Sequence, residues 1–264
     1  MSERHPDGQV SVERRGPVLL MGMDRSEKLN GITPKMFNEL TDAYNELNDD
    51  DELRVGVLFA HGKHTTAGLD LPKFVGEMKT GKRSFLQEGR VDVYSLKRKC
   101  VKPIVAAVQG ITFTAGIEMM LACDMVVAAS DCRFSQLEPK RGIMAGGGAT
   151  FRFIERGGWG NAMYHLLRCD EFNAAEAFRI GLVQEVVEPG EQLDRAVEIA
   201  EEIAKLAPLA VQATKASAMT YALEGERATI DGFPAIQRRL SASADAKEGV
   251  DSFREKREAK FTGK

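Results

Sequence analysis

Short apolar segments rich in β-branched residues recur along the chain and alternate with segments of helical periodicity. Each apolar segment is bounded by Gly, Pro or Asp, which is typical of a buried strand. These predicted strands are residues 18–23, 55–60, 104–108 and 125–129. Because strands that alternate with helices pack as layers of both, the pattern predicts an α/β fold.

The helical segments have recognisable ends. Thr33 is the predicted N-cap of the first helix and Pro34 its first residue, a position that proline favours. The apolar positions on one face of this helix are Met36, Leu40, Ala43, Tyr44 and Leu47. From about Gly190 onward only helical periodicity follows, and Pro208 interrupts that helix or starts the next.

The residues after Pro208 include too few large apolar side chains for an independent core. We therefore expect residues 1–207 to form the main body. Residues 208–264 should form a helical region that packs on the body or on another subunit.

Composition excludes several classes of partner. Lys and Arg number 36 and Asp and Glu 39, so the net charge of −3 gives no field that would attract nucleic acid or an anionic membrane. No segment approaches the roughly 18 to 20 consecutive apolar residues that span a bilayer. The first residues, MSERHPDGQV, resemble no secretion or transit signal. A cytoplasmic location is therefore the expectation.

Metal, disulfide and nucleotide motifs are not recognisable. The four cysteines are dispersed, without metal-ligand spacing, and are interpreted as reduced, buried thiols: Cys100, Cys123, Cys132 and Cys169. The glycine-rich segment GIMAGGGATFRF lacks the Lys-Ser/Thr of a P-loop, and no G-x-S-x-G elbow occurs. No metal site is predicted.

Two loops with an Ala-Gly pair follow predicted strands, HGKHTTAGLDL and QGITFTAGIEMMLACD. Ligands in α/β folds bind where strands end, and small residues let the backbone approach a ligand closely. In the second loop Ala115 and Gly116 precede a helical run, so unpaired N–H groups could face an oxyanion. Small residues at a helix start also occur for purely structural reasons, and both interpretations stay open.

Two glutamates enter the same region. Glu118 lies in the first turn of the helical run, where the helix dipole favours a carboxylate without any catalytic role. Glu138 follows the strand-like CRFS, at a position where a solvent-facing glutamate is unremarkable. Neither residue alone indicates a function, but the pair is of interest because both glutamates lie on loops that enter the same region as the small-residue helix start.

Taken together, these segments resemble the enoyl-CoA hydratase/isomerase family, also called the crotonase superfamily. The resemblance spans nearly the whole chain and rests on MDRSEKLNGIT, AGLDL, KPIVAAVQG, GIEMMLACDMVVAASDCRFSQLE and KEGVDSFREKREAKF. It implies a crotonase-type spiral of ββα repeats with a C-terminal helical trimerisation region. It also implies a homotrimer or a hexamer made of two trimers.

The resemblance also assigns roles to individual residues. It implies that the Leu69 and Ala115 N–H groups bind a thioester carbonyl, that Glu118 and Glu138 transfer protons, and that Gly146 helps to hold a water. The residues expected to contact the acyl-CoA are Lys28, Leu29, Ala67, Leu69, Asp70 and Gly116. No separate cofactor is implied, because coenzyme A is part of the substrate.

The implied activity is that of an enoyl-CoA hydratase, which adds water across the 2,3 double bond. A Δ3-to-Δ2 enoyl-CoA isomerase or another dehydratase or lyase on the same scaffold is the alternative. A catalytically silent acyl-CoA-binding or RNA-binding relative is the alternative outside enzymes. Thr114 stands where the family usually has glycine, and Lys140 and Arg141 add charge after Glu138. Both departures weaken the prediction of a simple unbranched acyl chain.

Overall fold

The computed structural model describes residues 5–81 and 86–264 and confirms the predicted α/β class. The strands are β1 Gln9–Arg15, β2 Val18–Asp24, β3 Val55–Ala60, β4 Ile104–Val108, β5 Ile111–Phe113, β6 Met125–Ala129, β7 Arg133–Ser135, β8 Phe172–Asn173 and β9 Glu185–Val187. The helices are α1 Pro34–Asp49, α2 Val75–Thr80, α3 Ala115–Ala122, α4 Ala149–Arg168, α5 Ala174–Arg179, α6 Gln192–Ala204, α7 Pro208–Glu224, α8 Glu226–Ser241 and α9 Ala244–Glu255.

The strands form two sheets. The larger sheet has the order β1-β2-β3-β4-β6-β9, and the smaller sheet has the order β5-β7-β8. Strands β2, β3, β4, β6 and β9 run parallel, while β1 pairs with β2 in the antiparallel direction. Because parallel strands point the same way, the loops after β3 and β4 leave the sheet at the same edge.

The chain repeats one pattern of elements. β4 joins the larger sheet, β5 the smaller sheet, and α3 follows; β6, β7 and α4 repeat this order. After β3, a bridge from Thr66 to Thr112 of β5 places the loop beside the smaller sheet in a similar way. Successive ββα units therefore bring corresponding loops together.

The central strands of the larger sheet are buried on both faces. Leu19 and Met21 of β2 pack into the cluster that includes the apolar face of α1, and Leu20 packs into a second cluster with α6. This alternation follows from the period of two in a strand, and burial on both faces explains why the predicted strands are continuously apolar. The predicted start of α1 is confirmed, because the Thr33 side chain accepts a hydrogen bond from the Met36 N–H at 3.2 Å.

Pro208 begins helix α7, so the chain breaks there and starts a new helix. Helix α7 is held to the body by Lys215, which lies 2.7 Å from Asp124 and donates to the Lys102 carbonyl at 2.9 Å. Arg54 donates to the Ala204 carbonyl at 2.8 Å and to the Phe261 carbonyl at 2.6 Å. These contacts hold α7, the end of α6 and the segment at Phe261 against the body. Across the described ranges, no helix has the length and apolar character needed to cross a membrane.

Candidate active site

A cavity of about 250 Å³ opens between the chain segments that follow β3, β5 and β7. The predicted site residues that line this cavity are Ala67, Leu69, Ala115, Glu118, Glu138 and Gly146. Its remaining wall consists of Leu71, Thr114, Leu137, Arg141, Ile143 and Met144. The structure thus gathers residues from three separate segments of the chain into one mostly apolar pocket that contains two carboxyl groups.

The loop after β3 is held by buried polar side chains. Asn30, which is almost fully buried, donates through Nδ2 to the carbonyls of His61 at 2.9 Å and His64 at 2.8 Å. Thr66 accepts a hydrogen bond from the Gly68 N–H at 3.0 Å and lies 2.7 Å from the Asn30 carbonyl, to which its hydroxyl donates. Buried and satisfied networks of this kind fix a single backbone path.

The cavity wall includes the backbone N–H groups of Leu69 and Ala115. The flanking groups are paired: the Asp70 N–H donates to Ile32 and the Thr114 N–H to Ser135, both at 2.9 Å. Within residues 5–81 and 86–264, the N–H groups of Leu69 and Ala115 have no such acceptor. Ala115 is the first residue of α3, where an unpaired N–H group is expected. These two donors suit a developing oxyanion.

Backbone strain occurs between these donors. Thr114 has a φ of 48°, which a β-branched residue seldom adopts. Gly68 has a φ of 107°, and a Cβ at this position would overlap the Thr114 hydroxyl oxygen. Glycine is therefore required at position 68 for both conformation and space. The two donor segments approach so closely that only one of them can carry a side chain at this point.

Glu118 is buried in the cavity wall. Its Oε1 accepts hydrogen bonds from the N–H groups of Gly147 at 2.6 Å and Ala149 at 3.4 Å. Burial, followed by repulsion from the Glu138 carboxylate, raises the pKa of Glu118 to about 7, although both N–H groups oppose this shift. A carboxyl group with a pKa near neutrality can both accept and release a proton.

The supports of Glu118 include residues that the sequence interpretation missed. A Cβ on Gly147 would lie 2.7 Å from Glu118 Oε2, so a larger residue there would displace the carboxyl group. Arg152 is buried and donates to the carbonyls of Gly147 at 2.9 Å and Tyr94 at 2.6 Å. Its positive charge lowers the pKa of Glu118, an effect smaller than that of burial.

Glu138 begins the 3-10 turn Glu138–Arg141 and is 8% exposed. The sequence position suggested that it could face solvent, whereas the turn directs it into the cavity. The Gln136 amide, oriented with its nitrogen towards Glu138, donates to the two carboxylate oxygens at 3.2 and 3.1 Å. Burial raises the pKa of Glu138, and its own N–H and that of Leu137 partly oppose the shift.

The other residues assigned to acyl-CoA occupy the rim or lie behind it. Lys28 and Leu29 are exposed, and the Leu29 carbonyl accepts a hydrogen bond from the Ala67 N–H at 2.9 Å. Asp70 forms an ion pair with the buried Arg25 at 2.9 Å, which anchors the loop. Gly116 packs against the Thr66 methyl group rather than lining the cavity.

The cysteines and histidines lie outside the cavity wall. The prediction of free, buried thiols is confirmed for Cys100, Cys123, Cys132 and Cys169. His165 is buried between Asp170 at 3.1 Å and Glu176 at 3.4 Å, on a different surface from the glutamate cavity.

The raised pKa of Glu118 predicts a pH-dependent stability. Below its ordinary pKa of 4.5 the carboxyl group is neutral in both the folded and the unfolded chain, and its burial carries no charge penalty. As the pH rises towards 7 the unfolded chain ionises first, so the unfolding free energy falls by about 3 kcal/mol in total. Glu118→Gln cannot ionise and should be more stable than the wild-type protein at pH 8 by about this amount.

Urea unfolding of both proteins at pH 4.5 and pH 8 measures this difference. Glu52→Gln, on an exposed turn, controls for the substitution itself. Equal stabilities of wild type and Glu118→Gln at both pH values would contradict the pKa assignment.

Comparison with known proteins places this geometry in a family. The family model described as enoyl-CoA hydratase/isomerase matches residues 13–264. The chain is 34% identical over 260 residues to the crotonyl-CoA hydratase of Syntrophomonas wolfei, covering 97% of this chain and 98% of that protein. It is 31% identical to the enoyl-CoA hydratase EchA19 of Mycobacterium tuberculosis, covering 98% of this chain and 97% of that protein.

A solved structure agrees with these matches. The crystal structure of a probable enoyl-CoA hydratase/isomerase from Mycobacterium abscessus has a TM-score of 0.93 and 41% identity, covering 97% of this chain and 98% of that chain. The matches extend over nearly the whole length of each protein, and the expected fold is confirmed. The chain therefore belongs to the enoyl-CoA hydratase/isomerase family, the crotonase superfamily.

Proposed function

We propose that the protein is an enoyl-CoA hydratase that adds water across the 2,3 double bond of an enoyl-CoA thioester. The observation that carries this proposal is the pairing of two buried carboxyl groups, Glu118 and Glu138, with unpaired N–H groups in one cavity. Hydration needs one group to take a proton from water, another to give a proton to carbon, and donors that stabilise the enolate formed between these steps. The cavity contains all three.

In the proposed mechanism the thioester oxygen lies between the Leu69 and Ala115 N–H groups. The water oxygen bonds to C3 while its proton passes to Glu118, and the electrons of the double bond move onto the thioester oxygen as an enolate. Glu138 then protonates C2 as the enolate collapses. The two carboxyl groups titrate as a coupled pair that can share one proton, and the reaction uses the arrangement in which Glu118 is ionised and Glu138 is protonated.

The hydrogen bonds of Glu118 support its role as the base. The N–H groups of Gly147 and Ala149 donate to Oε1 of Glu118, and no protein group of the described chain donates to Oε2. That oxygen is therefore free to accept a proton from water. We assign Gly146, which lines the same cavity, to help hold this water.

The substrate enters as a coenzyme A thioester, with no separate cofactor. Lys28, Leu29 and Ala67 lie together at the rim, because the Leu29 carbonyl pairs with the Ala67 N–H, and we assign them to the coenzyme. The crotonyl-CoA hydratase named among the relatives supports this class of substrate.

We also propose that the chain assembles as a trimer or a pair of trimers. Large apolar side chains remain exposed on the last helices. Leu223 of α7 is 72% exposed and Phe253 of α9 is 86% exposed. Exposed apolar surface of this kind marks an interaction site. Light scattering at micromolar concentration should report three or six subunits, and a monodisperse monomer would contradict the proposal.

A panel of enoyl-CoA thioesters of different length and branching tests the proposed reaction. Mass spectrometry separates hydration from isomerisation, because only a hydrated product gains the mass of one water. An isomerised product with no added water would favour the Δ3-to-Δ2 isomerase instead. Acyl-CoA binding without turnover of any substrate would favour a silent binding protein.

A further inference from the structure

Arg141 occupies the cavity wall on the same side as Glu138. Both belong to the 3-10 turn Glu138–Arg141, in which residues three apart lie on one face. Two hydrogen bonds fix the end of the turn: the Gly142 N–H donates to the Pro139 carbonyl and the Ile143 N–H to the backbone carbonyl of Glu138, both at 3.2 Å. The local geometry therefore directs Arg141 to the cavity that Glu138 lines.

The Arg141 guanidinium pairs with no group in the part of the chain that the structure describes. Within the described residues it makes no ion pair or hydrogen bond, although arginines such as Arg25 and Arg133 are paired with carboxylates. The adjacent Lys140 points elsewhere, since its Nζ donates to the Cys169 carbonyl at 2.7 Å. The Glu138 carboxylate accepts hydrogen bonds from the Gln136 amide and not from Arg141. Arg141 is thus a cation available to a ligand.

The residues around Arg141 determine which kind of ligand end this cation favours. The neighbouring wall is formed by Leu71, Ile143 and Met144, and among the described lining residues Arg141 is the basic one. An alkyl chain placed against it would remove water from the guanidinium and return no hydrogen bond. A carboxylate would be bound by two parallel N–H groups, the arrangement that arginine provides. The wall therefore disfavours an alkyl end and favours an anionic one.

We propose that the site takes an enoyl-CoA whose acyl chain ends in a carboxylate bound by Arg141. This inference rests on the proposed function for the position of the thioester. Three residues of a 3-10 helix span about 6 Å along its axis, so Arg141 reaches a group a short chain beyond the carbon that meets the glutamates. The carboxylated end fixes the chain and keeps C3 at Glu118 and C2 at Glu138.

The phosphates of coenzyme A are another anion that Arg141 could bind, and the experiment separates the two. The full-length protein is titrated by calorimetry with hexanoyl-CoA and with its counterpart that carries a carboxylate in place of the terminal methyl group. The acyl chains of both ligands have no double bond, so neither ligand can be hydrated. Both ligands carry the same coenzyme. The measured quantity is the ratio of their affinities.

The wild-type protein is expected to bind the carboxylated ligand more tightly. Arg141→Met should lower the affinity ratio by about 10- to 100-fold, the range for a lost charge-assisted pair. Arg141→Lys should retain part of the preference, because it keeps the charge but not the two-pronged geometry. Lys140→Met removes the neighbouring charge outside the cavity and should leave the ratio unaltered.

Equal wild-type affinities for the two ligands would overturn the proposal. So would an Arg141→Met variant that weakens both ligands by the same factor, because that result assigns Arg141 to the coenzyme. Absence of hydration on the substrate panel, with the carboxylate preference intact, would refute the proposed reaction while supporting this inference. Hydration without that preference would refute this inference alone.

Discussion

Replacing Glu118 by Gln is expected to lower kcat for hydration by about 10² to 10⁴, the usual range for a positioned acid or base. Gln keeps the size of the side chain and an oxygen that can still accept from Gly147 and Ala149. It cannot take a proton from water. Since the N–H groups of Leu69 and Ala115 are untouched, the loss should appear in kcat rather than in substrate affinity.

Glu138→Gln should reduce kcat by a similar factor, because C2 then lacks its proton donor. The double variant should be little slower than either single one, since each already lacks a complete acid–base pair. Glu52→Gln serves as the control on an exposed turn. An isomerase that shuttles one proton would lose activity with only one of the two substitutions. Near wild-type hydration by both variants would refute the two-glutamate mechanism.

Ala115→Pro is expected to lower kcat by about 10² to 10³ by removing one oxyanion donor. Proline has no N–H group, and the first position of a helix is where it is best tolerated. Ala115 holds that position in α3, and its N–H pairs with no acceptor in the described chain, so the substitution breaks no protein hydrogen bond. The loss should therefore be catalytic.

Two controls isolate the N–H group. Ala115→Gly removes only the methyl group and should retain most of the activity. Glu226→Pro introduces proline at the first position of the exposed helix α8 and should leave kcat unchanged. Circular dichroism and the melting temperature of each variant establish that it is folded. A folded Ala115→Pro variant with wild-type kcat would exclude this N–H group from the oxyanion site.

The main elements of the fold were predictable because their signals are local. The predicted strands at 55–60, 104–108 and 125–129 match β3, β4 and β6, and β2 continues one residue further than predicted. Continuous apolar runs mark strands that are buried on both faces. The Thr33 side chain caps α1 through a contact within the same turn, so this signal does not depend on what the helix packs against. The shorter strands β5 and β8 carry too few residues for a period to be recognised.

The candidate site was only partly predictable. The glutamates and the Ala-Gly pairs could be found in the sequence, but their shared cavity depends on which loops the sheets bring together. The burial of Glu138 depends on a 3-10 turn, and the support of Glu118 depends on Gly147 and Arg152, far along the chain. The ion pair of Asp70 with Arg25 joins residues from different loops. Contacts of this kind depend on tertiary packing and have no local pattern.

The most direct test of the proposed hydration is turnover in water labelled with oxygen-18. The wild-type protein should convert an enoyl-CoA to a 3-hydroxyacyl-CoA that carries the heavy oxygen at C3, and Glu118→Gln should form this product at least about 10² times more slowly. A product without the label, formed by moving the double bond, would contradict the account, and so would labelling that is equally fast in Glu118→Gln.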